Sequence, residues 1–265
     1  MTRRLWIALL ALLVIVGLVP ATGRSVDALI RITRPRANRP DLANSDRYFE
    51  RIYVAQRLAA DSSSEKEVRA DFDSFLGKFG RHPWATLGHT LPGSLFFLLI
   101  PFQFNGRLRR RYPAVHRWTG RVVLLSVPIL VGAACYYALG MPYGGLTETS
   151  AVLVFGAFIL VAGWRGFLAI RARRISEHRD WMTRMFGIGL GVAIQRLLGA
   201  PVFFLRHGSP RAWFGPSLWA GFILGAIGAE WVVRRRRGAP PIDPPPVRLG
   251  DYLTTPKGLE ARALR

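Results

Sequence analysis

The chain alternates long apolar runs, almost free of charge, with short arginine-rich segments. Crossing the hydrocarbon core of a bilayer takes about 20 predominantly apolar residues. A helix does so while satisfying its own backbone hydrogen bonds. Six runs fit: residues 5–20, 87–104, 122–139, 151–170, 185–205 and 213–233. The expected fold is therefore all-α, an integral membrane helical bundle of about six spans. Hydrophobic residues make up 50% of the chain, an ordinary share for a soluble domain. The class follows from where they lie, not from how many there are.

The charge is as unevenly placed. The formal net charge is +21, and lysine contributes only Lys66, Lys78 and Lys257. Such a basic chain suggests nucleic acid as a partner, but its arginines are split among separate segments that flank the runs. Arg3 and Arg4 precede the first run. Arg107, Arg109, Arg110, Arg111, Arg117 and Arg121 lie between the second and third. Arg171, Arg173, Arg174, Arg179 and Arg184 lie between the fourth and fifth, and Arg234–Arg237 follow the sixth. Residues 140–149 contain no basic residue. Basic loops stay in the cytoplasm, so both termini are expected inside. The expected partners are the bilayer and its anionic headgroups, with no role for nucleic acid. One cysteine, Cys135, excludes a disulfide framework and a cysteine-based metal cluster.

Four regions follow. Residues 1–21 form a membrane anchor. The pattern of basic start, apolar run and Ala21-Thr22-Gly23 also fits a cleavable signal segment; the uncleaved anchor is the preferred reading. Residues 22–84 form an outer loop with twelve basic and nine acidic residues, long enough to escape the charge rule. Within it, residues 45–60 read as an amphipathic helix with Tyr48, Ile52, Val54 and Leu58 near one side. Residues 62–77 read as a second helix, capped by Ser64, with Val68, Phe72, Phe75 and Leu76 inward. Residues 85–237 form a five-span bundle, and the proline-rich residues 238–265 are expected to be a disordered cytoplasmic tail.

Residues 109–124 and 171–188 resemble each other. Each has an arginine cluster, then His-Arg, a tryptophan, another arginine and a span, as a parallel helical repeat would produce. Pro113 suits a first helical turn and Ser176 suits an N-cap. His116 and His178 are then expected at equal depth on the cytoplasmic side, facing each other. His178 and Arg196 are 18 residues apart, five turns of one continuous helix, and would share a face. His89 and Gln103, 14 residues apart, nearly share a face of the second span. Ionisable groups inside spans face the bundle interior, which adds His89 and Arg196 to the candidates. His82 and His207 are expected to have no chemical role. Gly187, Gly191, Gly221 and Gly225, at four-residue spacing, read as sites of close helix packing.

Five short motifs occur in order: His82-Pro83-Trp84, His89-Thr90-Leu91-Pro92-Gly93, Pro101-Phe102-Gln103-Phe104, His116-Arg117-Trp118-Thr119-Gly120-Arg121 and His178-Arg179-Asp180-Trp181-Met182. The set resembles the predicted bacterial membrane proteins classed as domain of unknown function 2306, over roughly residues 82–202. The resemblance implies a multi-pass protein of a bacterial cytoplasmic membrane, without an assigned activity.

Three functions fit these residues. One is binding of an anionic lipid, metabolite or cofactor at a cytoplasmic site of His116, His178, Arg117, Arg121 and Arg179, with His89, Gln103 and Arg196 deeper in the bundle. Helix N-termini favour anions there. The alternative is haem b, ligated by His116 and His178, with Gly120 leaving room for a flat ring. The third is a structural or interaction protein without chemistry. No hydrolase motif and no carboxylate pair inside a span argues for catalysis, so enzyme activity stays open and no metal site is expected.

Overall fold

The computed structural model describes residues 3–34, 50–51, 53–55, 57–58, 64–204 and 210–238. Regular structure among them is helical throughout. In order these are α1 (Arg3–Thr33), α2 (Glu65–Phe72), a π-helical turn (Asp73–Gly77), α3 (Lys78–Arg81), α4 (Pro83–Phe104), α5 (Gly106–Arg111), α6 (Pro113–Gly140), α7 (Gly145–Arg171), α8 (Ile175–Gly189), α9 (Gly191–Phe204) and α10 (Pro210–Gly238). Tyr48, Ile52 and His207, and nearly all of the expected disordered tail, lie outside the described residues.

Among the described residues, five helices are long and apolar enough to cross a membrane: residues Ile7–Thr33 of α1, and α4, α6, α7 and α10. The expected fifth span is different. Residues 185–205 are not one helix, because the chain turns at Leu190 between α8 and α9. There the Leu190 carbonyl accepts from both Ala193 (2.9 Å) and Ile194 (3.1 Å). Gly189 and Gly191 flank the turn in tight quarters. A Cβ on Gly189 would lie 2.3 Å from the Phe96 ring, and one on Gly191 2.9 Å from the Gly221 carbonyl.

α1 lies along α4, α4 along α6, α6 along α7 and α7 along α8; α1 also meets α9. Phe96, Ile100, Val123, Val127, Phe155, Met185, Phe186 and Phe222 share the core. Lipid tails are as apolar as these side chains, so close packing rather than escape from water holds such helices together. The expected glycine sites serve that end. Added carbons on Gly187 and Gly225 would meet the backbone oxygen of the facing glycine at 2.7 and 2.2 Å. Apolar residues exposed on the bundle, such as Leu125, Ile129 and Trp164, are what lipid would cover.

The first apolar run stops at Pro20, but α1 does not. Proline lacks an N–H and removes the bond to the carbonyl four residues back, here Val16. The Arg196 guanidinium donates to that carbonyl (2.9 Å) and to that of Gly17 (3.1 Å). One turn beyond Pro20, the Ser25 hydroxyl donates to Thr90 on α4 (2.9 Å). Tertiary partners thus carry the helix through its proline.

In the expected outer loop, Ser64 caps α2 in a capping box with Glu67. Tyr53, Val54, Val68 and Phe72 form a small core, with Leu76 against it. Two details differ from the expectation. Leu58 is exposed, and Tyr53 is buried beside the expected Val54, because the hydroxyl of Tyr53 reaches the Asp71 carboxylate. Residues up to Glu230 form one compact unit. A second begins at Trp231, where Arg235 sits 4.2 Å from the Trp231 ring centroid.

Candidate functional site

His116 and His178 occupy the same position on their helices. Pro113 opens α6 and Ile175 opens α8, and each histidine follows three residues later. Ser176 does not cap α8; Arg174 stands at the cap. The reason lies in the preceding reversal, where Arg173 takes a positive φ of 58° and the Arg174 N–H reaches the Ala169 carbonyl (2.9 Å). That turn starts the helix two residues early.

Each imidazole is set differently. His178 Nδ1 lies 2.8 Å from the Gly166 carbonyl on α7. A carbonyl only accepts, so Nδ1 carries the proton, and in the neutral ring Nε2 holds the lone pair. His116 Nδ1 is buried and is without a hydrogen-bond partner among the described residues. His178, Arg109 and Arg117 lie close enough to act electrostatically on His116. Arg117 and Arg121 are exposed; Arg121 stacks on Trp118, 5.1 Å from its ring centroid. Arg179 is half-buried, and its carbonyl accepts from Thr183.

Gln103 joins this end from α4. Its amide donates to Thr119 Oγ1 (2.5 Å) and to the His116 carbonyl (3.4 Å). A Cβ on Gly120 would lie 3.3 Å from Gln103 Oε1. The glycine therefore admits the Gln103 amide, not the flat ring the sequence suggested.

His89 and Arg196 belong to another locus, in the half of the bundle away from the arginine-rich end. His89 Nδ1 lies 3.4 Å from the Leu130 carbonyl of α6. His178 and Arg196, expected on one face, have a turn at Leu190 between them and engage different helices. His178 turns to α7 and Arg196 to α1.

Sequence reasoning missed a buried polar cluster beyond the membrane-spanning part of α4. Lys78 and Glu148 are both buried, with Nζ 3.9 Å from Oε1. Lys78 also donates to the Met141 carbonyl (3.0 Å), and the Gly144 N–H donates to Glu148 (2.7 Å). The Tyr143 hydroxyl donates to Asp71 (3.0 Å). Burial lowers the Lys78 pKa below the ordinary lysine value, and Glu148 opposes the shift. Burial, with Asp71 and Tyr53, raises that of Tyr143. One signal was available: Glu148 is the lone acid in a segment without a basic residue, so its counter-charge had to come from elsewhere.

The helices define a multi-pass membrane protein. Within that class, the family model for "Predicted membrane protein (DUF2306)" matches residues 86–233. The chain belongs to this family, whose function is unknown. No curated protein and no solved structure matches the chain.

Proposed function

We propose that the protein binds a phosphate- or carboxylate-bearing ligand between the first turns of α6 and α8, on the cytoplasmic side of a bacterial inner membrane, with α1 retained in the bundle. His116 and His178 contact the ligand, and Arg117, Arg121 and Arg179 supply the surrounding positive charge. Gln103 holds the first turn of α6, while His89 and Arg196 brace the bundle further in. The observation that carries this reading is the buried His116 Nδ1, without a hydrogen-bond partner among the described residues and close enough to His178, Arg109 and Arg117 to feel them electrostatically. A protonated Nδ1 there donates to an oxyanion, and helix N-termini favour the same charge.

A b-type haem is the second reading. Favouring it, the proton on His178 Nδ1 leaves Nε2 free to ligate, as metal-bound histidines are commonly arranged. The fit is incomplete, because His116 Nδ1 lacks such a partner among the described residues and Gln103 fills the space beside Gly120.

Titration of the detergent-purified protein with inorganic phosphate, followed by calorimetry, tests the first reading. His116→Ala and His178→Ala should each weaken binding by about tenfold, equivalent to about 1.4 kcal/mol, with helicity intact. Unchanged affinity in both variants would sink it. A Soret band that shifts on reduction and disappears in both variants would establish the haem reading instead.

A further inference from the structure

A cleft of about 170 Å³ opens between α7, α8 and α10, lined by Phe158, Arg184, Ile188, Ala226 and Glu230. It takes no part in the site above. Its wall toward the membrane interior is apolar. At the arginine-rich end, Arg184 pairs with Glu230 at 2.9 Å. Ile188 is one turn inward from Arg184, and Ala226 is one turn inward from Glu230, about 6 Å each along the axis. The cleft therefore runs from the bilayer boundary into the hydrocarbon.

Two observations say what fills it. The first is its surroundings. Phe158 is 43% exposed, Val161 on the same face of α7 51%, and Ile227 on α10 60%. In a membrane-spanning bundle such residues face lipid, so the occupant arrives from the bilayer. Water has no polar partners along this wall, and a void of about 150 Å³ lined by apolar side chains takes up hydrocarbon rather than water.

The second observation is charge at the mouth. Arg165 and Arg184 both stack on Trp181, at 5.8 and 5.1 Å from its ring centroid. Arg165 is exposed and has no carboxylate partner among the described residues. Two guanidiniums thus lie at the mouth, where Glu230 is the carboxylate of the lining, beside an indole of the kind that settles at a membrane interface.

We infer that this cleft is a binding site for an anionic phospholipid of the leaflet on the arginine-rich side, with one acyl chain between Phe158, Ile188 and Ala226 and the phosphate on Arg165 and Arg184. Guanidinium forks suit phosphate oxygens. The acyl chain supplies contacts that the cleft walls otherwise lack.

Native mass spectrometry of protein released from bilayers of equimolar phosphatidylglycerol and phosphatidylcholine tests the site. Wild-type protein should retain one phosphatidylglycerol with about tenfold preference over phosphatidylcholine. Arg165→Gln should bring the preference below about threefold. Ala226→Phe fills the cleft and should abolish retention of both lipids; Phe158→Trp, whose larger ring stays partly in lipid, serves if that variant is unstable. A His116→Ala/His178→Ala double variant should retain lipid as the wild type does, which separates this site from the His116 site. Equal retention of the two lipids by wild type, or undiminished preference in both cleft-filling variants, would overturn the inference. The latter result would mean adsorption to exposed arginines alone.

Discussion

Lys78 shows how one buried charge binds an extramembrane segment to the bundle. Its ammonium has the Met141 carbonyl at 3.0 Å and Glu148 at 3.9 Å, and little water. Removing one partner of a buried pair costs about 3–5 kcal/mol, chiefly by stranding the other charge. Lys78→Met should therefore destabilise the protein by about 3 kcal/mol, and adding Glu148→Gln should recover most of that loss, read as unfolding midpoints in mixed detergent. The pH dependence follows from the lowered Lys78 pKa. Between the folded value and the unfolded one of about 10.4, the unfolded chain binds more protons, so stability rises with pH. Wild type should gain stability over the double variant as pH climbs through that window. An unchanged gap between them would show that Lys78 does not titrate differently on folding.

At the scale of elements, α1 depends on a residue about 180 positions away. Pro20 deprives the Val16 carbonyl of its helical donor, and Arg196 takes that place. A buried acceptor without a donor costs about 1–3 kcal/mol. Arg196→Leu should expose that cost, and Pro20→Ala should lessen it by restoring an N–H to the same carbonyl. The double variant should be more stable than Arg196→Leu alone by about 1 kcal/mol. Strict additivity of the two single changes, measured by unfolding in detergent, would show that the carbonyl is not shared. The helix pair α8 and α9 teaches a related lesson. The apolar pattern of residues 185–205 reads as one span, since glycines are compatible with a membrane helix. The turn at Leu190 arises where Gly189 meets the Phe96 ring and Gly191 meets the Gly221 backbone, and neither partner is adjacent in sequence.

For the whole molecule, the sidedness is the property to test. The arginine-rich segments 107–111, 171–174 and 234–237 predict one cytoplasmic face, and the basic-free turn at 140–149 predicts the opposite one. Single cysteines introduced into a Cys135→Ala background should become labelled at position 145 only from outside and at position 109 only from inside. Labelling of both positions from the same side would refute the topology.

The sequence alone determined the helical membrane class, four of the long spans to within a few residues of their cores, the capping of α2 by Ser64, the glycine contacts and the equal helix positions of His116 and His178. These follow from local rules: apolar length, charge placement and the few residues around each helix start. Only the tertiary structure decided the continuation of α1 through Pro20, the break at Leu190, the use of Gly120 to admit Gln103, and the burial of Lys78 with Glu148. Each of these depends on which helix lies beside which. A proline is bridged, a helix is interrupted and a charge is buried by partners 30 to 180 residues away in the chain, and no local pattern of apolar and polar residues encodes such a neighbour.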